Sequence, residues 1–172
     1  WIVKEKGIYD ILSGSKILLK RHPNFNIQLV GPIYCNKKNL MLLIKEFGLQ
    51  EVVTVTGPIY SREALRDKYL AADIFLFPSH CEGFPMALLE AISCGLPCVG
   101  SNAGGISDIL DEGRCGQVIK CHSPAGISDA LSFFIENVDI RLAVAKSSRE
   151  RAELSYSNTI SIDSYRKLLN LE

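Results

Sequence analysis

Net charge, long apolar runs and paired cysteines are all scarce in this chain of 172 residues. Nineteen basic residues balance nineteen acidic ones. The strong positive field that nucleic acid or an anionic membrane requires is therefore missing, and nucleic acid is not an expected partner. No stretch of about 18 uninterrupted apolar residues occurs, and the first residues lack the basic start, apolar middle and small-residue cleavage site of a secretory signal. The expected location is the cytoplasm, extending to the inner face of the membrane for a full-length protein. The six cysteines, at 35, 81, 94, 98, 115 and 121, form neither a Cys-x-x-Cys pair nor a disulfide frame. They read as reduced thiols: Cys94, Cys98 and Cys121 as small hydrophobes in or beside apolar runs, and Cys81 as the one near a candidate site. The histidines, at 22, 80 and 122, are scattered singly, which suits surface or internally satisfied side chains better than ligands; His80 alone is notable by position. No linker, internal repeat, low-complexity tract or Asp-x-Asp metal signature interrupts the chain, so residues 1–172 are expected to form one domain.

What is present is a βα alternation. Apolar runs at Asn26–Val30, Val52–Thr56, Ile74–Phe77, Pro97–Gly100 and Gln117–Lys120 read as strands. Helical stripes lie between them: Ile8, Ile11, Leu12, Leu18 and Leu19; Leu40, Leu43, Ile44 and Phe47; Leu65, Tyr69 and Ala72. Strands separated by helices imply a Rossmann-like parallel sheet with helices on both faces. A further strand is expected before Trp1. From Pro124 onward the pattern is helical, with Ile127, Leu131, Phe134 and Ile135 on one face, a break at Asn137 to Asp139 and a charged segment from Arg141 to Glu153. Tyr156 to Thr159 would cap a last helix carrying Ile162, Tyr165, Leu168 and Leu169.

The segment Glu82-Gly-Phe-Pro-Met-Ala-Leu-Leu-Glu90 places two carboxylates around a turn that opens a helix, directly after the apolar run Ala72–Ser79. Ligands of open α/β sheets bind beyond the carboxyl ends of strands, and the unpaired amides of a helix start attract anions. A diphosphate suits such a place. Pro85 is expected at the first helical position, leaving the amides of Gly83, Phe84, Met86 and Ala87 as phosphate donors. Gly83 permits close backbone approach. Glu90, roughly 7 to 8 Å along the helix, can accept both hydroxyls of a ribose, while Glu82 faces the sugar end.

Beyond this segment lie Cys94-Gly95-Leu96-Pro97 and Gly104-Gly105-Ile106-Ser107-Asp108. The whole run from Ala72 to Gly116 resembles the C-terminal half of the family 4 (group 1) retaining glycosyltransferases of GT-B fold. Lys6-Gly7, Val30-Gly31 and Val55 to Gly57 extend the likeness over nearly the whole chain. The resemblance implies that Glu90 binds the donor ribose, that Glu82 lies beside the sugar hydroxyls, and that Lys6 contacts the diphosphate with the Gly83 and Phe84 amides. It implies a base held by the loop Gly57, Pro58, Ile59 and Tyr60. The family carries an Arg five or six residues before that Lys; Trp1 stands five back, so either the clamp lacks its Arg or the Arg lies upstream. Asp108 replaces a more usual Glu.

The activity implied is transfer of a hexose from a UDP- or GDP-sugar, with retention of configuration and no metal or other cofactor, as in polysaccharide biosynthesis. The glycan or lipid-linked acceptor would bind an N-terminal domain that this chain lacks, so the chain alone is expected to be inactive. Leaving-group stabilisation by helix amides and Lys6 would carry the chemistry, with Glu82 positioning the sugar rather than attacking it. A sugar-nucleotide epimerase or phosphorylase of the same fold, or a non-catalytic nucleotide-binding module, would fit the same layer. Release of free nucleoside diphosphate by the intact protein separates a transferase from a binder.

Overall fold

The computed structural model describes residues 2–34, 36–157, 159–160 and 166. Five short strands alternate with helices: α1 Ile8–Leu19, β1 Ile27–Val30, α2 Lys37–Glu46, β2 Val53–Gly57, α3 Arg62–Leu70, β3 Phe75–Phe77, α4 Met86–Ser93, β4 Cys98–Ser101, α5 Ile106–Ile109, β5 Gly116–Ile119, α6 Pro124–Glu136 and α7 Val138–Ser155. All strand pairings are parallel. The single expected layer is hydrogen-bonded as two ladders, β1 with β2 and β3 through β4 to β5. Leu76 of β3 joins them through packing, because it lies against the apolar cluster that holds Leu29 and Val53.

Side chains of β4 leave on alternate faces, as strand geometry requires. Cys98 joins Leu88, Ile92, Ile106 and Leu110 beneath α4, α5 and α7, whereas Val99 joins Leu18, Ile127 and Phe134 beneath α1 and α6. Helices thus cover both faces. All four residues of β4 are buried, Cys98, Val99 and Gly100 without a polar side chain and Ser101 with its hydroxyl donated to the Ser79 carbonyl. Three helices begin on side-chain caps: Asn36, Ser61 and Ser123 accept the amides of Lys38, Ala64 and Gly126. Gly14 lets α1 lie against α6, since a Cβ there would press on the Pro124 carbonyl and on Ile127.

Three expectations shift. The third helical stripe does not bury: α3 ends at Leu70, and Ala72 lies beyond it, exposed. Its Tyr69 instead turns toward α4. Pro85 is the N-cap of α4 rather than its first helical residue, with ψ at 89° and its carbonyl accepting the Leu88 amide at 3.0 Å. A boundary shift of one residue is ordinary for helix ends. Cys115 is buried although no apolar run announces it. The last helix, with Ile162, Tyr165, Leu168 and Leu169, lies outside the described residues. Of its cap, Ser157 accepts the Ile160 amide at 3.4 Å.

Candidate functional site

The β3–α4 loop, residues 78–85, sits between two glycine-dependent supports. On one side the turn Lys4–Lys6 ends at Gly7, whose φ of 74° is left-handed and whose Cα faces the Pro78 carbonyl so closely that any Cβ would overlap it. The Glu5 carbonyl in that turn accepts the His80 amide at 2.8 Å and the Ser79 hydroxyl at 3.3 Å. On the other side Gly104, at φ 52°, faces the Glu82 carbonyl with the same lack of room, and Gly105 lies against the Gly83 carbonyl. The Ser101 hydroxyl donates to the Ser79 carbonyl from β4. Gly7, Gly104 and Gly105 therefore serve as spacers around one loop.

This scaffold brings together residues far apart in the chain. The Lys6 ammonium pairs with the Glu82 carboxylate across 76 positions, and also stands 5.7 Å from the centre of the Phe77 ring. Both side chains are largely enclosed, at 29% and 10% exposure. Next to the pair, the amides of Gly83, Phe84, Met86 and Ala87 make no hydrogen bond to another described residue. Met86 and Ala87 are the first two residues of α4, where orphan amides and the helix dipole favour an anion. Phe84 is exposed, its ring edge toward Tyr156 at 6.5 Å. Pro85 is buried, which fixes the loop's exit into the helix.

Glu90, one turn further along α4, is exposed and accepts the Tyr69 hydroxyl at 2.9 Å. Burial, followed by the neighbouring Glu90 carboxylate, pushes the Tyr69 phenol well above its ordinary pKa, so it stays a donor at any working pH. Sequence reading missed this support, although Tyr69 was legible as part of a helical stripe. Gly57 lies at the carboxyl end of β2 with φ 82°, its carbonyl accepting the Gly31 amide at 2.9 Å; Tyr60 beyond it is 90% exposed. No hydrogen bond or ion pair among the described residues joins residues 57–60 to Gly83–Glu90.

The fold also gathers what the sequence scatters. His80 Nε2 lies 2.6 Å from Asp10 Oδ2, His122 Nδ1 lies 3.9 Å from the same oxygen, and the two imidazole rings are 3.7 Å apart. Two of the three histidines therefore share one carboxylate. Cys81, beside Glu82, is exposed.

Residues 2–151 match the family model for glycosyl transferases group 1. The chain belongs to that family. Among curated relatives, the D-inositol 3-phosphate glycosyltransferase of Paenarthrobacter aurescens is 31% identical over 175 residues, which cover 98% of this chain and 43% of the relative. The chain spans about two fifths of the length of such relatives. Among solved structures, the C-terminal domain of the group 1 family protein LpcC from Francisella tularensis is 25% identical, with a TM-score of 0.82 over 91% of this chain and 83% of that one. Anabaena HepE, solved in complex with UDP, has a TM-score of 0.86 at 22% identity, covering 99% of this chain and 47% of HepE. The fold is thus that of the C-terminal domain in group 1 glycosyltransferases.

If Glu90 holds a ribose, Glu90→Ala weakens nucleotide affinity by about 1.5 to 3 kcal/mol, the usual worth of hydrogen bonds to a charged group. Tyr69→Phe, which frees Glu90 to rotate, costs about 0.5 to 1.5 kcal/mol. Calorimetry on both single variants and the double checks the coupling: once Glu90→Ala has removed the carboxylate, the Tyr69 change has nothing left to orient and adds little.

Proposed function

We propose that this chain is the donor-binding domain of a retaining hexosyltransferase that needs no metal, and that it holds a nucleoside diphosphate sugar at the start of α4. The observation that carries the reading is the Lys6–Glu82 pair beside four amides that bond no other described residue. An ammonium and a helix start together match the charge of a diphosphate, and they can neutralise it as it departs. In this reading the diphosphate takes the Lys6 ammonium, and Glu82, its present partner, accepts sugar hydroxyls. Glu90 and the residue 57–60 loop take the ribose and the base. HepE was solved in complex with UDP-glucose, which makes UDP-sugars the first donors to try, with GDP- and ADP-sugars beside them.

The acceptor, a glycan or lipid-linked sugar, binds in this reading to a further domain, and the setting is cytoplasmic polysaccharide biosynthesis. Among the described residues no helix is long and apolar enough to cross a membrane. Incubating the intact parent protein with each donor and an acceptor should release free nucleoside diphosphate, and added magnesium or manganese should not raise the rate. Donor binding with no release under any condition would leave a binding module instead. The role of Glu82 is tested in the same enzyme: Glu82→Gln keeps partial hydrogen bonding, so turnover falls more than nucleotide affinity does. The reverse pattern, or a sugar mass covalently added at Glu82, would refute a positioning role.

A further inference from the structure

We propose that Asp10, His80 and His122 form a zinc site, separate from the diphosphate-binding amides and serving stability rather than transfer. One atom from each, His80 Nε2, His122 Nδ1 and Asp10 Oδ2 among the candidates, lies within 4.8 Å of the others. Two imidazoles and a carboxylate are a standard zinc set that leaves a fourth position for water. Tetrahedral zinc with bonds of about 2.0 to 2.1 Å separates its ligand atoms by about 3.4 Å. Reaching that from the present spacing takes a small contraction at His122 and a small opening of the 2.6 Å Asp10–His80 contact.

Each ligand stands on a braced base. Asp10 is in the first turn of α1. His80 is tied through its amide to the Glu5 carbonyl. His122 occupies the turn after β5, braced by the Cys121 amide on the Asn102 side chain at 3.0 Å. His122 also has a left-handed φ of 55°, a conformation that costs a non-glycine residue energy and that gathers at functional positions. Its ring is 70% exposed, whereas Asp10 and His80 are 14% and 18% exposed, so the open coordination position faces solvent. A single carboxylate oxygen cannot give both rings good hydrogen bonds at 2.6 and 3.9 Å, but a dication can serve all three groups at once. Bound there, zinc cross-links α1, the β3–α4 loop and the β5–α6 turn.

The test uses the whole chain, stripped of metal and titrated with zinc chloride by calorimetry, with cobalt chloride as a spectroscopic probe. One equivalent of zinc should bind, cobalt should give the visible bands of a four-coordinate ion, and the thermal midpoint should rise with zinc. His122→Asn keeps a residue that tolerates the left-handed conformation and should weaken zinc binding by more than about 100-fold, as should Asp10→Asn. Cys81→Ser and Cys121→Ser should bind as the parent does. The proposal falls if the parent takes up no zinc, if His122→Asn binds as tightly as the parent, or if either serine variant abolishes binding, which would assign the metal to a thiol.

Discussion

Gly104→Ala should cost about 2 to 4 kcal/mol of stability. Two causes add. Alanine is strained at a φ of 52°, and its Cβ would occupy the space of the Glu82 carbonyl oxygen. The neighbour is backbone, so no side chain can swing aside. The loops must part, and Glu82 moves with them. A displacement near 1 Å at a reacting group costs about a hundredfold in rate, so turnover of the intact protein should fall by that order even under conditions where the variant remains folded. Gly83→Ala is the matching control: nothing lies within 4 Å of a Cβ there, so unfolding free energy should change by less than about 0.5 kcal/mol. Chemical denaturation of both variants, with circular dichroism to establish folding, decides the matter. Equal stabilities would mean the Gly104–Glu82 approach does not govern the loop.

Lys6→Ala in the intact enzyme should lower turnover by about 10² to 10³-fold, the usual loss when one preorganised partner of a developing negative charge is removed. It also leaves the carboxylate of Glu82, only 10% exposed, without its cation. That carboxylate would then face an incoming diphosphate with like charge. Affinity for the nucleoside diphosphate should therefore drop as well, and Lys6→Arg should restore part of it because the charge returns in a different shape. Steady-state kinetics with product-inhibition constants separate the two effects. A Lys6→Ala enzyme with parental kcat would remove Lys6 from leaving-group stabilisation.

The strands were legible because parallel strands covered on both faces are mostly apolar, as Cys98, Val99 and Gly100 of β4 are, while its last residue, Ser101, fell outside the run. Each observed strand lies within about one residue of its apolar run. The helix of Tyr69 was legible as a helix but not in its burial, because α3 carries its exposed face into solvent and commits a single ring to α4. Family resemblance set Lys6 on the diphosphate and Glu82 beside the sugar, but their direct contact was not legible, since nothing local predicts one across 76 positions. His80 was notable by position, beside the candidate turn, but nothing in the sequence joined it to Asp10 or His122: only the parallel topology, which gathers a helix start and two strand exits at one place, makes them neighbours. The two-ladder hydrogen bonding was equally illegible, for apolar runs reveal burial and not which strand is the partner.

The bond from the His80 amide to the Glu5 carbonyl ties the site loop to the segment of residues 2–7, so that if this segment opens by itself the site is lost without global unfolding. Ile2 pairs with Ile33 in one isolated bridge, and the next few residues carry Glu5, Lys6 and Gly7 to the β3–α4 loop. A transient opening of residues 2–7 would release the cation and the loop's brace together while the buried clusters around Leu88 and Phe134 stay shut. The His80 amide is then a built-in clock for that event. Its exchange with deuterium should run faster than that of amides in β4, and a nucleoside diphosphate that engages Lys6 should slow it without slowing the others.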